Sequence, residues 1–163
     1  MKVRLGGKID MSYKNGKGCR TVIFLSGCIH GCKGCHNRDL WDMTFGEEVD
    51  IEDLYKLIDK NYPIIDGITI SGGEPFLHKE VLYKLVKYAK GKRLSVWIYT
   101  GYTYDQLTCL EEPLINDILD NIDVLVDGKF VEELHDPELL YRGSINQKIL
   151  DLKHLRECAA AKE

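Results

Sequence analysis

Cys28, Cys32 and Cys35 fall within the eight-residue stretch Cys28-Ile29-His30-Gly31-Cys32-Lys33-Gly34-Cys35, close enough for one loop to aim three sulfurs at one metal centre. A cubane iron–sulfur cluster held by three thiolates keeps one iron without a protein ligand, and that iron can bind and activate a small molecule. A site closed by four thiolates would only store or pass electrons. Two other centres suit the same residues. Cys28, Cys32 and Cys35 with His30 or His36 would make a tetrahedral zinc site, although zinc usually staples modules that lack a core of their own. An electron-transfer cluster would need a fourth thiolate from Cys19, Cys109 or Cys158, all far away in the sequence. Those three read more simply as small packing side chains. Lys33 and Arg38 flank the ligands, where positive charge would offset that of thiolates and sulfides.

A second constellation is Ser71-Gly72-Gly73-Glu74-Pro75. Gly72 and Gly73 remove side chains at a strand end, so backbone can approach a ligand closely, and Glu74 adds a carboxylate suited to an ammonium group. By itself this is an ordinary turn. Beside a cluster with an open iron, it points to an amino-acid-derived ligand.

The elements that must carry these residues alternate. Thr21 to Leu25 is a short run, apolar on both faces, as a buried parallel strand should be, and the cysteine loop starts at its C-terminal end. Asp50 is a candidate N-cap for a helix with Ile51, Leu54, Leu57 and Ile58 at helical spacing. Ile68-Thr69-Ile70 is a second strand and runs straight into the glycine turn. A helix with Val81, Leu82, Leu85, Val86 and Ala89 inward follows, with Gly91 placed for a left-handed cap. Leu94 to Tyr99 forms a third strand, Thr103 with Gln106 a capping box, Pro113 a helix start, and Ile122 to Val126 a fourth strand. Strands alternating with helices imply right-handed crossovers and a parallel sheet. The cysteine loop, Gly72-Gly73-Glu74, Thr100-Gly101 and Asp127-Gly128 each follow a strand, and in parallel α/β folds the strand C-termini form the functional face.

Composition bounds the rest. A chain of 163 residues, 44% hydrophobic and 29% charged, reads as one domain over 1–163, with about 148–163 as a C-terminal helical tail. A formal charge of −4 argues against a nucleic-acid partner bound by phosphate neutralisation. There is neither a signal-peptide pattern at Met1 to Gly6 nor an apolar run of roughly 20 residues, so a cytoplasmic protein without membrane contact is expected. Six cysteines in a reducing compartment favour metal ligation over disulfides.

With its Cys-x3-Cys-x2-Cys loop and its Ser71 to Pro75 turn, the chain resembles the radical S-adenosylmethionine superfamily. Asn15 to Arg20, Phe24 to Cys35, Asn37-Arg38, Trp41, Tyr99 to Tyr102, Asp127 to Phe130 and Arg142 to Gln147 narrow the resemblance to activating proteins of anaerobic, class III ribonucleotide reductases. The resemblance implies a short, incompletely closed parallel βα barrel. It implies a 4Fe-4S cluster on Cys28, Cys32 and Cys35, and S-adenosyl-L-methionine contacted by Gly34, His36, Gly72, Gly73 and Glu74. His36 stands where the family generally has an aromatic residue; its imidazole can still stack on adenine. The implied activity is reductive cleavage to a 5'-deoxyadenosyl radical that installs a glycyl radical on the reductase large subunit, with no protein acid or base and with a low-potential electron donor such as flavodoxin. Two alternatives stay open: a radical S-adenosylmethionine enzyme acting on a small molecule, and a non-catalytic zinc or iron–sulfur module. Trp97, Tyr102 and Phe130 are candidates for lining the opening to the site, or else core residues.

Overall fold

The four β-rich runs are too short to stand alone and too apolar to face water, so they must pair side by side with helices packed across them. The computed structural model describes residues 1–161, and it contains that arrangement. Strands β2 (Arg20–Leu25), β4 (Gly67–Gly72), β5 (Ser95–Tyr99) and β6 (Val124–Asp127) pair in parallel in that order. Helices α1 (Ile51–Asn61), α2 (Lys79–Gly91), α3 (Tyr104–Cys109) and α4 (Pro113–Asn121) lie in the connections. The expected N-cap Asp50 starts α1, where it forms a capping box with Asp53; the expected capping box of Thr103 with Gln106 starts α3, and Pro113 opens α4.

Three further strands are antiparallel, in segments whose sequence carries no strand pattern. β1 (Lys2–Ser12) pairs with β2, β3 (Glu47–Asp50) with β1, and β7 (Lys148–Asp151) with β6. Among the described residues the sheet order is β3-β1-β2-β4-β5-β6-β7, and the outer strands do not join, so this mixed sheet is open. The physical reason is tertiary. β1 carries Gly6, Gly7 and several charges, and β3 is Glu47-Glu48-Val49-Asp50; neither has strand propensity to spare, and cross-strand pairing supplies what propensity does not.

The expected C-terminal tail starts with a strand and continues as a helix docked at its first turns. After β7 comes α5 (Leu152–Ala161), docked by the buried Leu152 and by Arg156, whose guanidinium donates to the carbonyls of Leu119 (3.1 Å) and Ile122 (2.8 Å). Lys162 and Glu163, part of the expected tail, lie outside the described residues. Gly91 is the last residue of α2, and the left-handed position falls two residues later, on Arg93 with φ 62°.

Side chains alternate cleanly across the sheet. Ile23, Leu25, Ile68, Ile70, Val96, Ile98 and Leu125 join the core with Leu54, Ile58, Leu82, Leu85 and Ile118 of the helices. The opposite face carries Arg20, Thr69, Trp97, Val124 and Val126, all buried. Arg20 is 1% exposed, and all five of its donors are used. Nε donates to Thr69 Oγ1, Nη1 to Lys17 O and Ser95 Oγ, and Nη2 to Ile68 O and Ser95 O, at 2.7–3.0 Å. Trp97 lies under the guanidinium, 5.5 Å from its carbon. Burial lowers the Arg20 pKa to about 10, still well above neutrality, so the group is charged and acts as a rivet between three strands and the turn before β2. Arg20→Ala removes every one of these donors from buried acceptors, and a loss of about 3 kcal/mol in stability is expected, measured as a lowered urea midpoint of the metal-free protein.

Candidate functional site

Parallel pairing puts the C-terminal ends of β2, β4, β5 and β6 on one edge, and the loops leaving them meet there. The cysteine loop leaves β2 under tight restraint. Gly27 N donates to Leu40 O (2.6 Å) and Cys28 N to Trp41 O (3.3 Å), so the segment after the loop returns to hold its start. His78 Nε2 donates to the Ser26 carbonyl at 2.6 Å. Gly27, Gly31 and Gly34 have φ of 104°, 61° and 77°, the left-handed turns that wind the loop. At its end, Cys35 N donates to Cys32 O, and Asn37 N donates to Cys35 Sγ at 3.4 Å.

Cys28, Cys32 and Cys35 line one side of a cleft of about 150 Å³. His30, Ser71, Gly72, Gly73, Gly101 and Phe130 are among the other residues that line it. The sequence reading's two constellations therefore share one cavity. Burial raises the Cys28 thiol pKa, opposed by the backbone N–H of His30. Cys19 is buried in the core, while Cys109 and Cys158 are exposed and line no part of the cleft. Among the described residues no three Cys, His, Asp or Glu side chains converge on a point suited to one metal ion. Three thiolates lining one cleft with no fourth cysteine among its lining residues match the donor set of a cluster that keeps one iron open.

The glycine turn is stitched to the cysteine loop by backbone. Gly73 N donates to Leu25 O (2.9 Å) and Glu74 N to Gly27 O (2.7 Å). Gly72 has φ 119°, and a Cβ on Gly73 would fall 2.7 Å from the carbonyl carbon of Gly27, so close approach of two chains fixes both residues as glycine. Glu74 is 0% exposed. Its Oε1 accepts from Phe76 N (3.0 Å) and Thr100 Oγ1 (2.8 Å), and its Oε2 from Gly101 N (2.8 Å) and His30 Nε2 (2.6 Å). A fully buried carboxylate is thus saturated by the protein itself.

Gly34 and His36 do not line this cleft. Gly34 faces Glu132, and His36 packs against Phe130 and His135, each at 5.6 Å between ring centroids. His36 lines an adjoining groove of about 440 Å³ that shares Cys35, Asn37, Ser71, Tyr99, Phe130 and Gln147 with the cleft. Of the aromatic candidates, Phe130 lines both cavities, Trp97 is core, and Tyr102 packs on His30. The sequence reading missed the clamp made by Gln147. Its Oε1 accepts from the N–H groups of Gly143 and Ser144, and its Nε2 donates to Gly128 O, while Asn146 donates to Lys129 O. The block from Arg142 to Gln147 is therefore a turn fastened to the loop after β6. Its amide-rich composition was the available signal.

The family model of the 4Fe-4S single cluster domain matches residues 14–150. Anaerobic ribonucleoside-triphosphate reductase-activating proteins are similar over most of their length. That of Salmonella typhimurium is 40% identical over 149 residues, spanning 87% of this chain and 92% of that protein. That of Escherichia coli K12 is 38% identical over 154 residues with the same coverage, and that of Enterobacteria phage T4 is 34% identical over 144 residues, spanning 84% and 86%. Among solved structures, QueE from Escherichia coli aligns with a TM-score of 0.50 at 22% identity, covering 63% of this chain and 54% of that one, a likeness of fold.

Because Glu74 satisfies four donors at once, Glu74→Ala is expected to cost about 3 kcal/mol in the metal-free protein, read from urea unfolding. Removing the same carboxylate should also leave the three cysteines titratable by a thiol reagent, since none of them is bonded to it.

Proposed function

This chain belongs to the anaerobic ribonucleoside-triphosphate reductase-activating proteins and carries the 4Fe-4S single cluster domain; on that premise we propose that it is a radical S-adenosylmethionine activase. Its substrate is the large subunit of an anaerobic ribonucleoside-triphosphate reductase, on which it installs a glycyl radical. The observation that carries this reading is the cleft in which three thiolates, with no fourth cysteine beside them, face the Gly72 and Gly73 backbone.

When bound, the cluster and S-adenosylmethionine supply a one-electron cleavage that yields methionine and a 5'-deoxyadenosyl radical. The work of the chain is to hold and to shield. Cys28, Cys32 and Cys35 would hold the cluster, and three thiolates for four irons would leave one iron open to the cofactor. Gly72 and Gly73 present side-chain-free backbone to the amine, and Glu74, occupied by protein donors, keeps that backbone in place. Gly34 and His36 would contact the adenosine end; of the two, His36 lines the adjoining groove. No side chain has to move a proton.

A protein substrate needs a way in. The open sheet, read more finely as a short, incompletely closed parallel βα barrel of the radical S-adenosylmethionine type, leaves the adjoining groove between Lys14, Asn15, Leu139 and Tyr141 for a peptide segment. An enzyme for a small molecule would be better served by an enclosed pocket. We read the whole chain as one such domain working in a reducing cytoplasm, with a low-potential donor such as flavodoxin. Among the described residues, no helix is long and apolar enough to cross a membrane.

Anaerobic protein reconstituted with iron and sulfide, reduced and mixed with S-adenosylmethionine and the reductase, should give a glycyl-radical signal in electron paramagnetic resonance. Cys32→Ala should reduce both the signal and methionine release to background. Cleavage of S-adenosylmethionine with no radical on the reductase would overturn the reading.

A further inference from the structure

Within the cysteine loop, one side chain other than the ligands turns inward. Ile29 is 67% exposed and the Lys33 side chain 83%, whereas the His30 side chain is only 4% exposed. It leaves the loop after β2 and enters the space between the loops after β4 and β5. A carboxylate only accepts, so the 2.6 Å contact requires His30 Nε2 to donate to Glu74 Oε2. The ring meets Tyr102 edge-on, with centroids 4.7 Å apart. Its bed is Gly101, where a Cβ would lie 2.6 Å from His30 Nε2 and closer still to Cδ2. Gly101 has no unusual φ, so the demand for glycine there is set by the imidazole.

This placement has a mechanical consequence. Backbone bonds tie the loop at Gly27 and Cys28, and at its end Cys35 N donates to Cys32 O while Cys35 Sγ accepts from Asn37 N. Between Cys28 and Cys32 it is the His30 ring that reaches the strand edge, and it does so on the carboxylate that also orders Gly101 and Thr100. We propose that His30 is a positioning residue, a latch that fixes Cys28 and Cys32 relative to the Gly72 and Gly73 turn and so sets where the three-thiolate site faces. The proposal rests on the functional reading above for its consequence, not for its geometry. Ligand spacing alone cannot do this, because a loop wound by three left-handed glycines has other ways to gather its sulfurs.

Two measurements separate the latch from the function it serves. In the metal-free protein, hydrogen exchange of the amides in residues 28–35 should quicken about tenfold or more in His30→Ala, the scale set by loss of one hydrogen bond to a charged group. In the reconstituted protein, His30→Ala should bind iron and sulfide in the wild-type ratio. Its reduced-cluster spectrum should need about tenfold more S-adenosylmethionine to respond. His30→Gln, which keeps a donor for Glu74, should recover part of both losses. Gly101→Ala should reproduce them by displacing the ring, and should add nothing when His30 is already alanine. Unchanged exchange and an unchanged titration in His30→Ala would overturn the latch, as would a Gly101→Ala effect of equal size with and without His30. A wild-type cluster that ignores S-adenosylmethionine would overturn the functional reading instead, while the exchange result would still judge the latch.

Discussion

A carboxylate cut off from water persists in a protein only if other donors replace its hydration, and Glu74 has four of them. They come from the cysteine loop, from the turn that carries Glu74, and from the loop after β5. One buried charge therefore sets the mutual position of the segments that build the cleft. The arrangement is demanding, because loss of any partner leaves an orphaned group in a region that water does not reach. It also explains why the neighbouring residues are glycines. Gly73 and Gly101 each sit where a Cβ would collide with the cysteine loop, one with its backbone and the other with the His30 ring.

The rest of the fold brings those loops within reach of Glu74. Parallel pairing of β2, β4, β5 and β6 places four strand ends on one edge, and burial on both faces holds the strands in register. Arg20 plays the corresponding part inside the sheet. Its donors join β2 to β4 and β5 and tie down the Lys17 turn, near the end of the sheet away from the cleft. The two buried charges are not partners. Each is satisfied locally by dipoles, so the sheet interior and the loop edge are ordered by separate networks.

The antiparallel strands change what the sheet can do. With β1 and β3 on one side and β7 on the other, the sheet widens without closing, and the groove beside the cleft shares six lining residues with it. Such an architecture keeps the thiolates partly sheltered beside an open groove. The turn from Arg142 to Gln147, fastened to Gly128 and Lys129, lines part of that groove.

What the residues themselves determined was local chemistry and local period: three thiolates at loop spacing, a double glycine before Glu74, the caps at Asp50, Thr103 and Pro113, and four short strands, the first apolar on both faces. Each depends only on neighbours within a few positions, which is why it could be read in advance. The strands β1, β3 and β7 could not be, since charged and glycine-rich segments become strands only when an edge offers them hydrogen bonds. Nor could the tasks of His30, Glu74 and Gln147, whose partners lie 44, 26 and 19 residues away. The contact between His30 and Glu74 exists only after two parallel strands have aligned their ends, so it was the tertiary structure that turned a histidine between two cysteines into part of the site's frame.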